Sequence, residues 1–281
     1  MAQAVIMEDG TIQAGEIHPE LVEFYPVQAV LTDDTEIGDA LAFYEMHAHY
    51  GLRFPRDPRW IRSNLGVDFF LFGIRINGEL IAVAWIANKK DFVYFSIEND
   101  CLVLKNDGAW VDSGGWCIRP DYRGKGLFHL LTATVTSFWF TWINRGDARP
   151  LWGRMMGAKD ADNNPLFWNR VGAEITGLPY RELIRLPFGA MEEAIFACWP
   201  RVPMSLNDIP EEVVKQALGK SLDVLVGPKN GFVRWGLTEV TDRYVPTSLN
   251  HFVCATRDSI GNPAKFFRDA FSDAVKKVNG F

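Results

Sequence analysis

The sequence predicts a mixed α/β (α+β) fold, a mixed sheet flanked by helices, on three observations. Asn77-Gly78 sits between two apolar runs, the strongest short hairpin signal a sequence carries. A strand-like run ending at Ile118 passes through Arg119-Pro120 into a basic glycine turn and then into a long apolar helix pattern. A further strand-like run, Leu151 to Met156, follows that helix, so strands and helices alternate.

The elements are justified in order. Residues 1 to 18 are mixed and turn-rich, fit for a peripheral arm or strand. Thr32-Asp-Asp-Thr-Glu36 supplies a cap and an acidic first turn ahead of Ile37, Ala40, Leu41 and Tyr44, so a helix is expected, fading near His47 to Gly51. Arg53 to Trp60 is Pro-rich and reads as loop. Asp68 to Ile76 and Glu79 to Ala87 form the hairpin strands; Phe92 to Ile97, Cys101 to Leu104 and Ala109 to Ile118 read as three more. Leu127 to Ile143 is apolar on most sides, a largely buried helix. Asn163-Asn164-Pro165 opens a short helix through Trp168 that stops at Gly172, and Ala194 to Trp199 is expected as a late strand. Asp208 to Gly219 and Pro263 to Val278 read as helices, the second with Phe266, Phe267, Ala270, Phe271 and Val275 on one face.

Composition narrows the classes. The 281 residues allow one large domain or a domain with an appendage, and 48% hydrophobic content is that of a globular chain. Ten Trp and 20 Phe suit an aromatic core or an apolar ligand channel. The net charge of −6 and the absence of a dense Lys/Arg run disfavour nucleic acid and anionic membranes. No run reaches the roughly 18 apolar residues of a membrane span. The amino terminus lacks a secretory pattern, and Cys101, Cys117, Cys198 and Cys254 show no C-x-x-C spacing. A cytoplasmic protein with reduced thiols and no metal is therefore expected.

The glycine turn is the most informative stretch, Trp116-Cys-Ile-Arg-Pro-Asp-Tyr-Arg-Gly-Lys-Gly-Leu-Phe-His-Leu130. Glycines allow close backbone approach, and the start of the following helix presents unpaired N–H groups, a ready anion site. Arg119, Arg123 and Lys125 add positive charge, so a phosphate-bearing ligand is expected.

These residues resemble motif A of the GNAT superfamily of acyl-coenzyme A N-acetyltransferases, whose pattern is Arg/Gln-x-x-Gly-x-Gly/Ala after a strand ending in Pro. Arg123, Gly126 and Pro120 match it, while Phe128 stands where the superfamily prefers Gly or Ala. Asn164 to Ala173 resembles motif B, with Trp168 where the superfamily often carries a thiolate-protonating tyrosine. Arg154 to Gly157, Pro165 to Trp168, Pro200 to Pro203 and Glu211 to Gly219 are patchily similar to the arginine N-succinyltransferases.

The resemblance implies an acyltransferase domain over residues 1–200, with residues 201–281 an extension that packs on the core and either closes the acceptor pocket or forms a homodimer. It implies acetyl-CoA or another acyl-CoA as co-substrate and direct transfer to a small amine or amino acid. The pyrophosphate would lie on the amides of Arg123, Gly124, Lys125 and Gly126, with Asn164 also on the cofactor. Amides of Cys117, Ile118 and Arg119 would polarise the acyl carbonyl. Arg119 is either a phosphate partner or a solvated surface arginine.

An ammonium acceptor must lose a proton. Asp112, on the strand before the loop, is the first candidate base; the alternative is a turn cap beside Ser113-Gly114-Gly115. Glu98 is a second, and reads equally as part of a solvated turn with Asn99-Asp100. His49 and His47 follow the first helix, where the superfamily builds its acceptor pocket. Glu45 and Asp57 would suit a cationic acceptor. Cys117 has no legible partner as a covalent nucleophile. The missing tyrosine and Phe128 leave two alternatives open: a non-catalytic acyl-CoA-binding module, or a site for a longer acyl chain or an acyl-carrier protein.

Overall fold

The computed structural model describes residues 4–6, 12–14, 27–28, 34–47, 55, 57–76, 78–140, 149–222, 232–233, 236–260 and 263–279. Apart from a small hairpin of β1 (Ala4–Ile6) and β2 (Ile12–Ala14), the described strands form one ten-stranded sheet. The strands in chain order are β3 (Val27–Gln28), β4 (Phe69–Ile76), β5 (Glu79–Lys89), β6 (Val93–Glu98) and β7 (Cys101–Asn106). They continue with β8 (Trp110–Ile118), β9 (Leu151–Arg154), β10 (Met204–Ser205), β11 (Thr238–Tyr244) and β12 (His251–Ala255). The sheet order is β10-β7-β6-β11-β12-β9-β8-β5-β4-β3, and β8–β9 is the parallel pair.

The expected hairpin is present: β4 and β5 pair from Phe69↔Ala87 to Ile76↔Glu79, with Gly78 at φ +82° in the turn. That turn needs a left-handed residue, which glycine supplies without a Cβ clash. Both strands are buried nearly end to end, which explains their continuous apolar pattern.

Helix α1 (Asp34–His47) and helix α2 (Pro58–Asn64) lie with the face of β5 that buries Val83 and Trp85. The Pro-rich segment read as loop thus holds a helix, because Pro58 takes the first helical position behind an Asp57 cap that accepts from the Arg59 amide at 2.9 Å. On the opposite face, α3 (Leu127–Phe138) packs with helix α6 (Pro263–Asn279), where Ala270 and Ala274, one turn apart, permit a close approach.

Two expectations are corrected. The run from Ala194 to Trp199 is not a strand but part of helix α4 (Ala190–Cys198), since Met191 and Ile195 are buried at helical spacing behind an acidic first turn. The helix after Asn164 does not stop at Gly172: it passes through a π-helical stretch, Trp168–Gly172, and ends at Gly177 with φ +67°. A Cβ on Gly172 would lie 2.6 Å from the Trp168 indole, so this glycine accommodates a neighbouring ring. Described residues beyond 200 enter both the core and the sheet. Before β11 and β12, helix α5 (Glu211–Ala217) joins a core cluster with Phe95 and Phe167. Strands β11 and β12 then fill the sheet between β6 and β9, and β10 extends its edge at β7. No helix among the described residues is long and apolar enough to cross a membrane.

Candidate functional site

The parallel ladder between β8 and β9 is short: Val111↔Leu151, Asp112↔Trp152 and Ser113↔Gly153, after which pairing ends. Beyond it a cleft opens, walled by Gly114, Gly115 and Trp116 on one side and Arg154 to Gly157 on the other. Its cavity volume is about 120 Å³, and it is open to solvent. The β11–β12 connection adds Val245, Thr247 and Ser248 to the lining.

Glycines make this shape. On β8, Gly115 and Trp116 together face the single Ala84, a bulge, and Gly115 takes φ +63°. A Cβ on Gly114 would meet the Trp85 indole at 2.5 Å, and one on Gly157 would meet the Ser248 carbonyl at 2.8 Å. Asn250, fully buried, ties the far wall together by donating to the Met155 carbonyl at 2.9 Å while accepting from the Ser248 hydroxyl at 2.6 Å.

At the end of β8 the Arg119 amide donates to Ile81 O at 2.9 Å. Alternate amides on a strand point to opposite neighbours, so Cys117 shares the β5 side and Ile118 faces the side where β9 has departed. Of the three expected carbonyl-polarising donors, Ile118 is therefore the one directed to the open edge. Arg123 braces that edge, its Nε donating to the Ile118 carbonyl at 3.2 Å.

The glycine loop follows, with Gly124 at φ +77° and Gly126 at φ +80° as the cap of α3. Among the described residues, no backbone acceptor receives the amides of Gly124, Lys125, Gly126, Leu127 or Phe128. These are the N–H groups a helix start leaves for an anion. Lys125 Nζ sits 4.6 Å from the Tyr122 ring centroid. Arg119 pairs with Asp121 at 2.8 Å and Glu79 at 2.7 Å, so its charge is already answered at the surface. Phe128 turns from the loop to pack on Trp116 and Phe232, at 5.8 and 5.1 Å between ring centroids.

Of the candidate proton-transfer residues, Asp112 and Glu98 are not brought together. Asp112 is fully buried, does not line the cleft, and belongs to a four-membered ion cluster with Lys89, Arg154 and Glu192. Lys89 Nζ lies 3.1 Å from Asp112 and 3.0 Å from Glu192, while Arg154 donates to Glu192 at 2.7 Å and also to Asp112. Burial works against the Arg154 charge, but Asp112 and Glu192 outweigh it and hold the guanidinium above its ordinary range.

Glu98 is exposed at the β6–β7 turn, where Asn99 and Asp100 have positive φ, and pairs with Lys105. Bonds from Lys105 and Ser96 hold its carboxyl below the usual range. His49 lies outside the described residues. His47 packs edge-on against Phe43 at 4.7 Å. Glu45 and Asp57 are exposed and do not line the cleft. Burial pushes the Cys117 thiol up to about 11, which removes it as a nucleophile at neutral pH. Asn164 lies in a turn whose backbone N–H donates to Asp160 at 2.9 Å.

Trp168, at the position where a tyrosine was missed, is fully buried and donates its indole N–H to the Leu178 carbonyl at 2.9 Å. The phenol at the cleft is instead Tyr180, and Lys159 is a second lining group the sequence did not single out. Among the described residues, no Asp, Glu or His lines the cleft. Among the described residues no cluster of three or more His, Cys, Asp or Glu could hold a metal ion.

No family model and no curated protein matches the chain. Among solved structures, arginine/ornithine succinyltransferase subunit AI from Pseudomonas aeruginosa is similar over 86% of this chain and 80% of that one. The TM-score is 0.55 at 14% identity, which is a likeness of fold.

Proposed function

We propose that the protein is an acyl-CoA-dependent N-acyltransferase that transfers a short acyl group directly to a small amine or amino acid in the cytoplasm. The observation that carries this reading is the parting of β8 and β9 immediately before a loop of unpaired amides at the start of α3. An elongated ligand with phosphates at one end and a thioester at the other fits that sequence of features. Its phosphates would lie on the amides of Gly124 to Gly126, its pantetheine arm along the open edge of β8, and its carbonyl near the Ile118 amide. The fold likeness to a succinyltransferase supports the same reading.

The residues then divide the work. The amine would attack the thioester carbonyl, the C–S bond breaking as the C–N bond forms, and Tyr180, which lines the cleft, would return a proton to the departing thiolate. Among the described residues no carboxylate or imidazole lines the cleft, and the ammonium proton would leave to water.

That same absence favours a second reading, a binding module without turnover. Calorimetric titration with CoA, followed by thiol release from acetyl-, succinyl- and octanoyl-CoA across an amine panel, separates the two. We expect micromolar CoA binding and amine-dependent release. Binding without release would select the module, preferred octanoyl transfer would select the longer-chain site, and no CoA binding would sink both CoA readings.

A further inference from the structure

The cleft contains an amine of the chain itself. Among the described residues, the ionisable groups that line it are Arg154, Lys159 and Tyr180. Arg154 donates to Glu192 at 2.7 Å and also to Asp112, and those carboxylates keep its guanidinium protonated, so it is no nucleophile. Lys159 differs. It is half-buried, and burial lowers its affinity for a proton, with Asp160 opposing, which raises the share of neutral amine.

The backbone around Lys159 is fixed by one turn. The Leu166 amide donates to the Ala158 carbonyl at 2.9 Å and the Asp160 amide to the Asn164 carbonyl at 3.0 Å, with Asn163 at φ +62° between them. The neighbouring carboxylate serves that turn. Asp160 accepts from the Asp162 and Asn164 amides, each at 2.9 Å, and from the Asn169 side-chain nitrogen at 2.5 Å. Lys159, two residues beyond Gly157, lines the cleft together with Gly115 and Trp116. Ile118 follows Trp116 by two residues on β8, about 7 Å along the strand, a span comparable to an extended lysine side chain.

We propose that Lys159 accepts an acyl group from a thioester seated in the cleft, so that the protein acylates its own chain. The neutral Nζ attacks the carbonyl carbon, and the C–S bond breaks as the C–N bond forms. The departing thiolate takes up the proton that the nitrogen loses, leaving an Nε-acyl-lysine and a thiol. An amide is too unreactive to pass its acyl group to a second amine, so the step modifies Lys159 and is not an intermediate of transfer. The proposal rests on the acyl-transfer reading for the thioester as ligand.

The purified protein is incubated with acetyl-CoA and no added amine, and every lysine is followed by peptide mass spectrometry. Lys159→Arg is run beside the wild type, with thermal melting as the check on folding. S-acetyl-N-acetylcysteamine, a thioester without phosphates, is tested in parallel. Lys159 should gain an acetyl group about tenfold or more faster than any other lysine, because a shared cleft replaces a chance collision. The rate should saturate with acetyl-CoA, fall when CoA is added, and be independent of protein concentration. Lys159→Arg should lose the fast adduct. Acetylation spread evenly over the lysines, a Lys159 rate that never saturates with either thioester, or a fast adduct that persists in Lys159→Arg would overturn the proposal.

Two outcomes separate the proposal from the donor reading. CoA binding by calorimetry without acetylation of Lys159 overturns self-acylation and leaves acyl-CoA as the ligand. Fast acetylation of Lys159 by the small thioester but not by acetyl-CoA supports the reactive lysine and removes acyl-CoA as the donor.

Discussion

Asp112→Asn distinguishes a proton-transfer residue from a structural one. The wild-type carboxylate is completely buried, 3.1 Å from Lys89 Nζ and bonded to Arg154. Neutralising it leaves two cations facing one carboxylate inside the fold. Removing one partner of a buried ion pair costs about 3–5 kcal/mol. The variant should fall at the lower end, because Asp112 Oδ1 has no hydrogen-bond partner in the wild type. The amide can turn its NH₂ into that position and keep its oxygen on Arg154, losing charge but not all hydrogen bonding.

A loss of about 3 kcal/mol should lower the melting temperature by roughly 6–12 °C for a domain of this size. Scanning calorimetry measures it, with thiol release assayed below the transition. Lys89→Gln should be destabilising too, and the double variant should lose less than the two singles together, since it restores neutrality. An Asp112→Asn protein with unchanged melting and more than 100-fold slower release would refute this reasoning and return Asp112 to the role of base.

Two other predictions concern separate regions. Gly124→Val places a side chain in open space but at φ +77°, so it should cost only about 1–2 kcal/mol of strain while lowering CoA affinity at least tenfold; calorimetry giving wild-type affinity would detach the loop from the phosphates. Gly126→Val is a poorer test, because a Cβ there meets the Ala274 backbone at 3.3 Å and pushes on α6 as well. Tyr94 is raised to about 12 by burial and by donating to Asp107 at 3.0 Å, so its folded pKa exceeds the unfolded value near 10. Its contribution is present below pH 10 and lost as pH rises towards 12; stability from urea unfolding should decline more steeply there in the wild type than in Tyr94→Phe, and parallel declines would count against it.

The fold was legible where local chemistry and tertiary position agree. Asn77-Gly78 demands a hairpin whatever surrounds it, and the Pro120-to-Gly126 turn demands a helix start. Strand β11, Thr-Glu-Val-Thr-Asp-Arg-Tyr, was not visible because its side chains are mostly exposed or half-buried and carry no apolar alternation. Strand β12 was missed for a different reason: five residues with an apolar middle are too short to separate from a buried helix segment. Asp112 was placed on the correct strand, yet its partners lie 23 residues before and 42 and 80 after it in the chain. Local pattern carries no information about such a cluster.

The cleft shows why the chemistry was harder to read than the loop. A phosphate site can be built from one continuous turn, since backbone amides supply the binding and glycine spacing reports them. A pocket for the reacting groups is assembled from side chains on β8, β9, the turn around Asn163, the Tyr180 helix and the β11–β12 connection. Ser248 and Gly157 illustrate the dependence: the wall closes because a residue from the connection between the carboxyl-terminal strands packs where any Cβ at 157 would intrude. The carboxyl-terminal strands are thus a condition for the cleft's existence, and Lys159 and Tyr180 acquire their place at it only once those strands enter the sheet. Motif B directed attention to Trp168, whose indole is sealed in the core, while the phenol at the cleft comes 12 residues later on a separate short helix. Which side chain serves a cleft is decided by how the walls meet, and a motif specifies that only where the walls themselves are shared.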